Sequence, residues 1–468
     1  MNDETGTQNS VTAPSRLSSA IVFLIAVVPL ISAIAYGAVD SAAIGLLSLL
    51  LLVIVFLWIA EALRSGVFSY TTNPLQLPLL GLIAIGCIQL LPLGSGDAGL
   101  LSVPTANTLS LDPYATRFFL VRLAILFLFF ASALVFVQQG SRPKRIAALI
   151  VIFGAAIAFF GILQRLAMPD SIYGLRPTPQ AIPFGPYVNQ HHFAALMEMT
   201  SGVALGLLFG RGVTRERKLF IGIAAGIMGM AIIFTGSRGG LTSYLGVIAF
   251  AAAASFARRH GARAKHEEPS RRKRNLSVMI AASGLIILVI GSVLFLGGEG
   301  ELLRGIGLQE NQADVTSGRS HFWNVAWQIF LANPILGAGF DAFGAAFSRY
   351  DTWSGMYRVE QAHNDYLQIL ADGGVLGLAC VAGFAYLLFK RGISAIIGEK
   401  DSLQRSIVSG ALAGCFGILI HSFFDFPLRT PANAFFFLLL VVLAVGTVNG
   451  AGLKTGSKKK RLTSEHLR

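Results

Sequence analysis

Charge is what this chain lacks. Of its 468 residues only 13% are Asp, Glu, Lys or Arg, about half the ~25% usual in soluble domains. Cysteine is scarce as well. Cys87, Cys380 and Cys415 are the three in the chain, each inside an apolar run with neither pairing nor ligand spacing. A disulfide framework and a zinc-type cluster are thereby excluded, and the three read as packing residues. No Asp-x-Asp pair, P-loop or Gly-x-Gly-x-x-Gly fingerprint occurs. These absences argue against a metal-dependent transferase fed by cytoplasmic nucleotide sugars. Nothing repeats at a period of roughly 20–50 residues, and only the basic tail is low in complexity.

What is present is apolar. Hydrophobic residues make up 54% of the chain, in separate runs of roughly 18–25, each long enough for a ~30 Å hydrocarbon core. Spans are predicted at about 20–38, 41–62, 75–93, 117–138, 145–168, 191–210, 219–235, 240–257, 276–297, 363–389, 406–424 and 432–449. They must be helices, because in lipid each backbone amide has to be bonded within its own segment. The fold class is thus an all-α integral membrane protein of about twelve transmembrane helices. A tail (1–19) precedes the membrane domain (20–450), and a basic tail (451–468) comes after it. The first 16 residues are polar and no small-residue cleavage site follows the first apolar run, so that run is expected to be a retained helix.

Orientation follows from the basic residues. With twelve spans, the side holding both termini carries 27 Lys/Arg against 9 Asp/Glu, and the other side carries 10 Arg, no Lys and 15 acids. The positive-inside rule makes both termini cytoplasmic. The net charge of +13 is therefore a topology signal and not a nucleic-acid footprint. The run 270–274 (Ser-Arg-Arg-Lys-Arg) abuts a span, and anionic lipid is its expected partner.

Three outer connections exceed simple turns: 94–116, 169–190 and, between helices nine and ten, 298–362. In the last, 317–330 has helical spacing with Phe322, Ala326, Ile329 and Phe330 near one face, and Asn333-Pro334 stops it. The pattern predicts an amphipathic helix lying on the outer interface. Gly337, Gly339 and Gly344 punctuate the stretch beyond that stop.

Polar motifs converge on the same outer face. The stretch 235–240 (Thr-Gly-Ser-Arg-Gly-Gly) predicts a tight external hairpin whose glycines turn sharply and expose amides to an anion. Arg238 adds a bidentate fork suited to phosphate; the other reading is an arginine snorkelling from a helix end. In 362–368 (Ala-His-Asn-Asp-Tyr-Leu-Gln), His363 opens the tenth span. Histidine is suited to taking a proton from a hydroxyl near neutral pH, while Asn364 and Asp365 also suit a helix cap. His421, Asp425 and Arg429 lie at the end of the eleventh span, and Asn189 and His192 at the start of the sixth. Arg122, Arg165 and Glu198 fall within the outer portions of spans, where charge tends to face a polar cavity.

At these motifs the chain resembles the O-antigen ligase and polymerase superfamily of bacterial envelope glycosyltransferases. The matching elements are the Gly-Ser-Arg-Gly-Gly turn, the outer loop with Ser-Gly-Arg before its helix, and the His-Asn-Asp-Tyr-Leu start of the next span. The stretch 185–193 (Gly-Pro-Tyr-Val-Asn-Gln-His-His-Phe) is similar to members of the superfamily, and 421–433 to exopolysaccharide-type members. The likeness covers roughly residues 110–450. It implies a metal-independent transferase, without cofactor, acting at the periplasmic face of the inner membrane. Its donor would be a glycan on undecaprenyl diphosphate, and its acceptor a saccharide or a lipid core. Carried onto this sequence, Arg238 and Arg319 would hold the diphosphate and His363 would be the base. His192, Asn189, Asn364, Asp365, His421, Asp425 and Arg429 are candidates for acceptor binding or support. Polymerase and ligase share this chemistry, and the carboxyl-terminal segment leans toward polymerase. A twelve-helix transporter is the competing class, disfavoured because the charges sit at the outer face and not at the midplane.

Overall fold

The computed structural model describes residues 15–94, 107–179, 181–257, 319–352, 359–445 and 453–455. The predicted ninth span (276–297), the basic residues from 258 to 274, the loop before 319 and both tails apart from 15–19 and 453–455 lie outside the described residues. The helices are α1 (Arg16–Ile34), α2 (Ser41–Ser65), α3 (Gln76–Gln89), α4 (Pro113–Phe136), α5 (Arg142–Ala167), α6 (Gln190–Phe209) and α7 (Arg215–Phe234). They continue with α8 (Arg238–Ala257), α9 (Arg319–Ala332), α10 (Phe343–Phe347), α11 (Asp365–Gly398), α12 (Ser402–His421) and α13 (Pro431–Val445). Eight of these, α1, α2, α4 to α7, α11 and α12, are long and apolar enough to cross a membrane. Each predicted span other than 276–297 overlaps a helix. The protein is an all-α integral membrane protein.

Burial differs sharply between helices. α2 is mostly exposed, whereas α6 is buried along nearly its whole length and packs on α5, α7, α8, α12 and α13. Glycine makes the tightest seam possible. A Cβ added at Gly202 would lie 2.5 Å from the Gly414 amide nitrogen, and one at Gly206 would lie 2.3 Å from the Gly410 Cα. Small residues spaced by four let α6 and α12 approach backbone to backbone, the usual device where lipid provides no hydrophobic drive. That contact sets the depth at which their polar residues meet.

α11 departs from the single uninterrupted span predicted at 363–389. At Gly374 (φ 63°, ψ −163°) the helix breaks, leaving a short segment, 365–373, and a membrane helix, 375–398, about 36 Å long at ~1.5 Å per residue. The amides and carbonyls freed by the break are taken up by 334–339. Ala338 N–H donates to the Ala371 carbonyl (2.8 Å), Gly339 N–H to that of Asp372 (3.1 Å), and Val375 N–H to that of Pro334 (2.9 Å). Irregular backbone survives at membrane depth only when satisfied in this way. Gly337 (φ 71°) is required here, since a Cβ would sit 2.3 Å from the Asp372 carbonyl carbon.

The expected interfacial helix is α9, but its setting differs. Its Val325, Ala326 and Ile329 are buried with Phe343, Phe347, Ala362 and Ala371. The apolar stripe is thus spent on α10 and the short segment of α11 and is not laid in lipid, while Trp327 remains exposed. The strand Ser69–Thr71 pairs antiparallel with Leu453–Thr455. The α2–α3 connection therefore lies beside residues 453–455, beyond α13.

Candidate active site

The segment 422–430, between α12 and α13, gathers the polar groups. His363 precedes α11 in a left-handed conformation (φ 51°), uncommon for a residue with a side chain and costly unless its surroundings impose it. Its ring is half buried. Nδ1 lies 3.0 Å from Asp425 Oδ1, and the ring stands edge-on to Phe426 at 4.9 Å. Asp425 is buried, which by itself would raise its carboxyl. The His363 hydrogen bond and the His192 and His191 imidazoles outweigh burial and hold it well below the usual carboxylate range.

Asn364 accepts from the amides of Tyr366 (3.0 Å) and Leu367 (3.1 Å), the geometry of an N-cap, and donates to the Phe423 carbonyl (3.2 Å). Asp365 accepts from the Ser422 hydroxyl at 2.9 Å, and its amide donates to the Ser422 carbonyl at 2.9 Å. His363 is thus braced from both flanks by the segment that carries Asp425.

Phe424 meets Arg319 directly and the Arg238 turn through Gly239. Arg319, the first residue of α9, donates from Nη1 to the Phe424 carbonyl at 2.6 Å. Arg238, the first residue of α8, is exposed. A Cβ added at its neighbour Gly239 would lie 2.8 Å from Phe424 Cβ and 3.2 Å from the His421 ring. The paired glycines of the hairpin therefore serve close packing: Gly240 abuts Ala194, and its amide donates to the Ser237 hydroxyl (3.0 Å). The expectation that this amide stands open to an anion is not met.

Glu198 also departs from expectation. Instead of facing a polar cavity it is fully buried, with Oε1 2.8 Å from His421 Nδ1. His192 Nδ1 is 2.6 Å from the Thr430 hydroxyl, and its ring meets Phe426 at 4.8 Å. Asn189 caps α6 by accepting from the His191 amide at 2.8 Å. Asn433 donates to the His192 and Pro427 carbonyls (2.9 and 3.1 Å) and accepts from the Tyr187 hydroxyl (3.1 Å). It joins the two stretches, 185–193 and 421–433, that were singled out separately in the sequence.

Arg429 turns to another cluster. Its guanidinium binds Asp341 through Nη1, and Asp372 through Nη2 at 2.5 Å. Burial would lower its pKa, but the Asp372, Asp341 and Asp365 carboxylates outweigh this and raise it above the ordinary value. Asp341 (φ 62°) and Asp372 were missed in the sequence. An acid followed by two glycines inside an apolar run, as at 372–374, was the signal available for Asp372. Gln89, also missed, donates to the Leu336 and Asp372 carbonyls (2.6 and 2.8 Å) and accepts from the Phe340 amide (2.9 Å). Among the described residues, no group of three or more His, Cys, Asp or Glu side chains is placed to hold a metal ion.

Residues 223–382 match the O-antigen ligase family. Over that stretch, about a third of its length, the chain is similar to the O-antigen ligase family. The match runs from α7 through the hairpin with Arg238, through α9 with Arg319, and past His363 into α11; Glu198 and 421–433 lie outside it. No curated protein matches the chain. The match points to a glycosyltransferase of the O-antigen ligase or polymerase type, a family whose members act on lipid-linked glycans and saccharide acceptors.

Proposed function

We propose that this O-antigen ligase-like protein transfers a glycan from undecaprenyl diphosphate to an acceptor hydroxyl at the periplasmic face of the inner membrane. The observation that carries the reading is the His363–Asp425 contact at 3.0 Å, on a segment whose Phe424 meets Arg319 and the turn that carries Arg238. In the working tautomer Nδ1–H donates to Asp425 and leaves Nε2 to accept the hydroxyl proton. The acceptor oxygen then attacks the anomeric carbon, the bond from that carbon to the diphosphate oxygen breaks, and the proton stays on His363 as imidazolium. The ionised Asp425 favours that cation. Negative charge grows on the departing diphosphate, and preorganised guanidinium groups at Arg238 and Arg319 would stabilise it without a metal. His421, His192, Asp365, Asn189, Asn364 and Arg429 support the geometry through the contacts described.

The lean is to polymerase, on the carboxyl-terminal segment 421–433. Reconstituting the purified protein with lipid-linked repeat, with and without a lipid-core acceptor, tests this directly. Chain growth without the core supports polymerase. Transfer only to the core makes it a ligase, and no transfer to either removes the proposal.

A further inference from the structure

A second polar feature is left unused by this chemistry. Arg122 lies within α4, about 14 Å from its outer end at ~1.5 Å per residue. Its side chain keeps 35% of its surface accessible, and its sole ion pair among the described residues is with Asp341, at 3.8 Å. Its Nε is buried with no hydrogen-bond partner. Asp341 is already bound by Arg429, so Arg122 is the cation of this cluster whose donors are least satisfied. A charge at this depth is retained where it meets a polar partner or an anion.

Arg122 lines a cavity of about 250 Å³, just below the ~300–1,000 Å³ of typical ligand sites. Its polar groups are Asp365, Ser422 and Arg429, at the outer ends of their elements, and Arg122, which reaches it from within α4. The remaining wall is almost wholly apolar, and extends along α11 as far as Leu388. A cation at one end and a long hydrocarbon-lined space below it match an anionic headgroup on a single extended chain. Ser422 and Arg429 bracket Asp425 in sequence, so this cavity and the His363 pair share one segment. Arg238 and Arg319 are not among the lining residues.

We propose that the cavity holds the acceptor-side lipid: a second lipid phosphate, with its phosphate on Arg122 and the start of its hydrocarbon chain between α3, α4, α11 and α13. The proposal rests on the polymerase reading, in which donor and acceptor are both lipid-linked. It is tested by binding, independently of turnover. Purified protein in detergent would be titrated with undecaprenyl diphosphate, and bound equivalents counted by native mass spectrometry. Wild type should bind two. Arg122→Gln and the cavity-filling Ala385→Phe should each bind one, with the second equivalent at least tenfold weaker, while Arg238→Ala loses the other. Ala385→Phe alters no charge, so agreement between it and Arg122→Gln separates lipid binding from general disturbance of the ion cluster. Inorganic pyrophosphate should not compete for the Arg122 equivalent at concentrations that saturate the lipid. Two equivalents retained in both variants would overturn the proposal, as would equal competition by pyrophosphate, which marks a free-anion site. Absence of transfer with two equivalents bound would remove the polymerase reading and leave the lipid site standing.

Discussion

Glu198 and His421 meet at 2.8 Å across the glycine seam of α6 and α12, both fully buried, and Gly239 packs directly on that imidazole. The pair sits underneath the hairpin that presents Arg238. Removing one partner of a buried pair leaves an uncompensated polar group and costs about 3–5 kcal/mol. Glu198→Ala should therefore lose folded protein, whereas Glu198→Gln, which keeps a hydrogen bond to a neutral imidazole, should retain much more. Membrane abundance and thermal unfolding in detergent check both.

Gly239→Ala tests the same contact from above. A methyl placed 2.8 Å from Phe424 Cβ overpacks the turn, at a cost of about 1–3 kcal/mol. Because Phe424 also anchors Arg319, donor binding should weaken together with stability. Retention of wild-type donor affinity by a destabilised Gly239→Ala would show that the turn does not set the arginines.

His363 and the arginines should separate kinetically. His363→Ala should lower transfer by about 10²–10⁴-fold with lipid-diphosphate donor binding nearly intact. Arg238→Ala and Arg319→Ala should weaken donor binding as well, each losing a charge-assisted contact of roughly 1.5–3 kcal/mol. Lysine at either position should rescue in part, since it keeps the charge and loses the fork. Near wild-type transfer by a well-folded His363→Ala would move the base to another residue, with His421 and His192 next in line.

Asp425 carries a pH signature. Its folded carboxyl is held below the ordinary range, so the stability it contributes is fully present above the unfolded value of about 3.9. That contribution is lost as pH falls below it toward the folded value. The gap in thermal stability between wild type and Asp425→Asn should accordingly narrow as pH drops below about 4. A gap that widens on acidification would reverse the assignment.

Turnover should survive EDTA, because in the proposed site the guanidinium groups of Arg238 and Arg319 would offset the diphosphate charge in place of a metal. Complete loss restored by Mg²⁺ would sink the arginine clamp. Topology has its own test. Cysteines placed at Thr352 and Gln312 should react with an impermeant thiol reagent in intact spheroplasts, and those at Lys265 and Lys459 only after lysis. Labelling at Lys265 before lysis would overturn the twelve-span arrangement.

Hydropathy sufficed to read the apolar helices, because lipid imposes length and composition on each segment separately. His363, Arg238 and Arg319 could be singled out as candidates for a similar reason: each belongs to a short local motif. Pairings over long separations were not legible. Nothing local to Asp425 says that it meets His363, and nothing near Glu198 says that it meets His421 and not a cavity. Asp341, Asp372 and Gln89 gain their partners from a helix break that looks, in sequence, like one more small-residue pair. Local pattern fixes where a helix can lie in the bilayer. Which of its polar atoms find partners depends on how closely two backbones approach, and at Gly202, Gly206, Gly239 and Gly337 only the packed fold decides that.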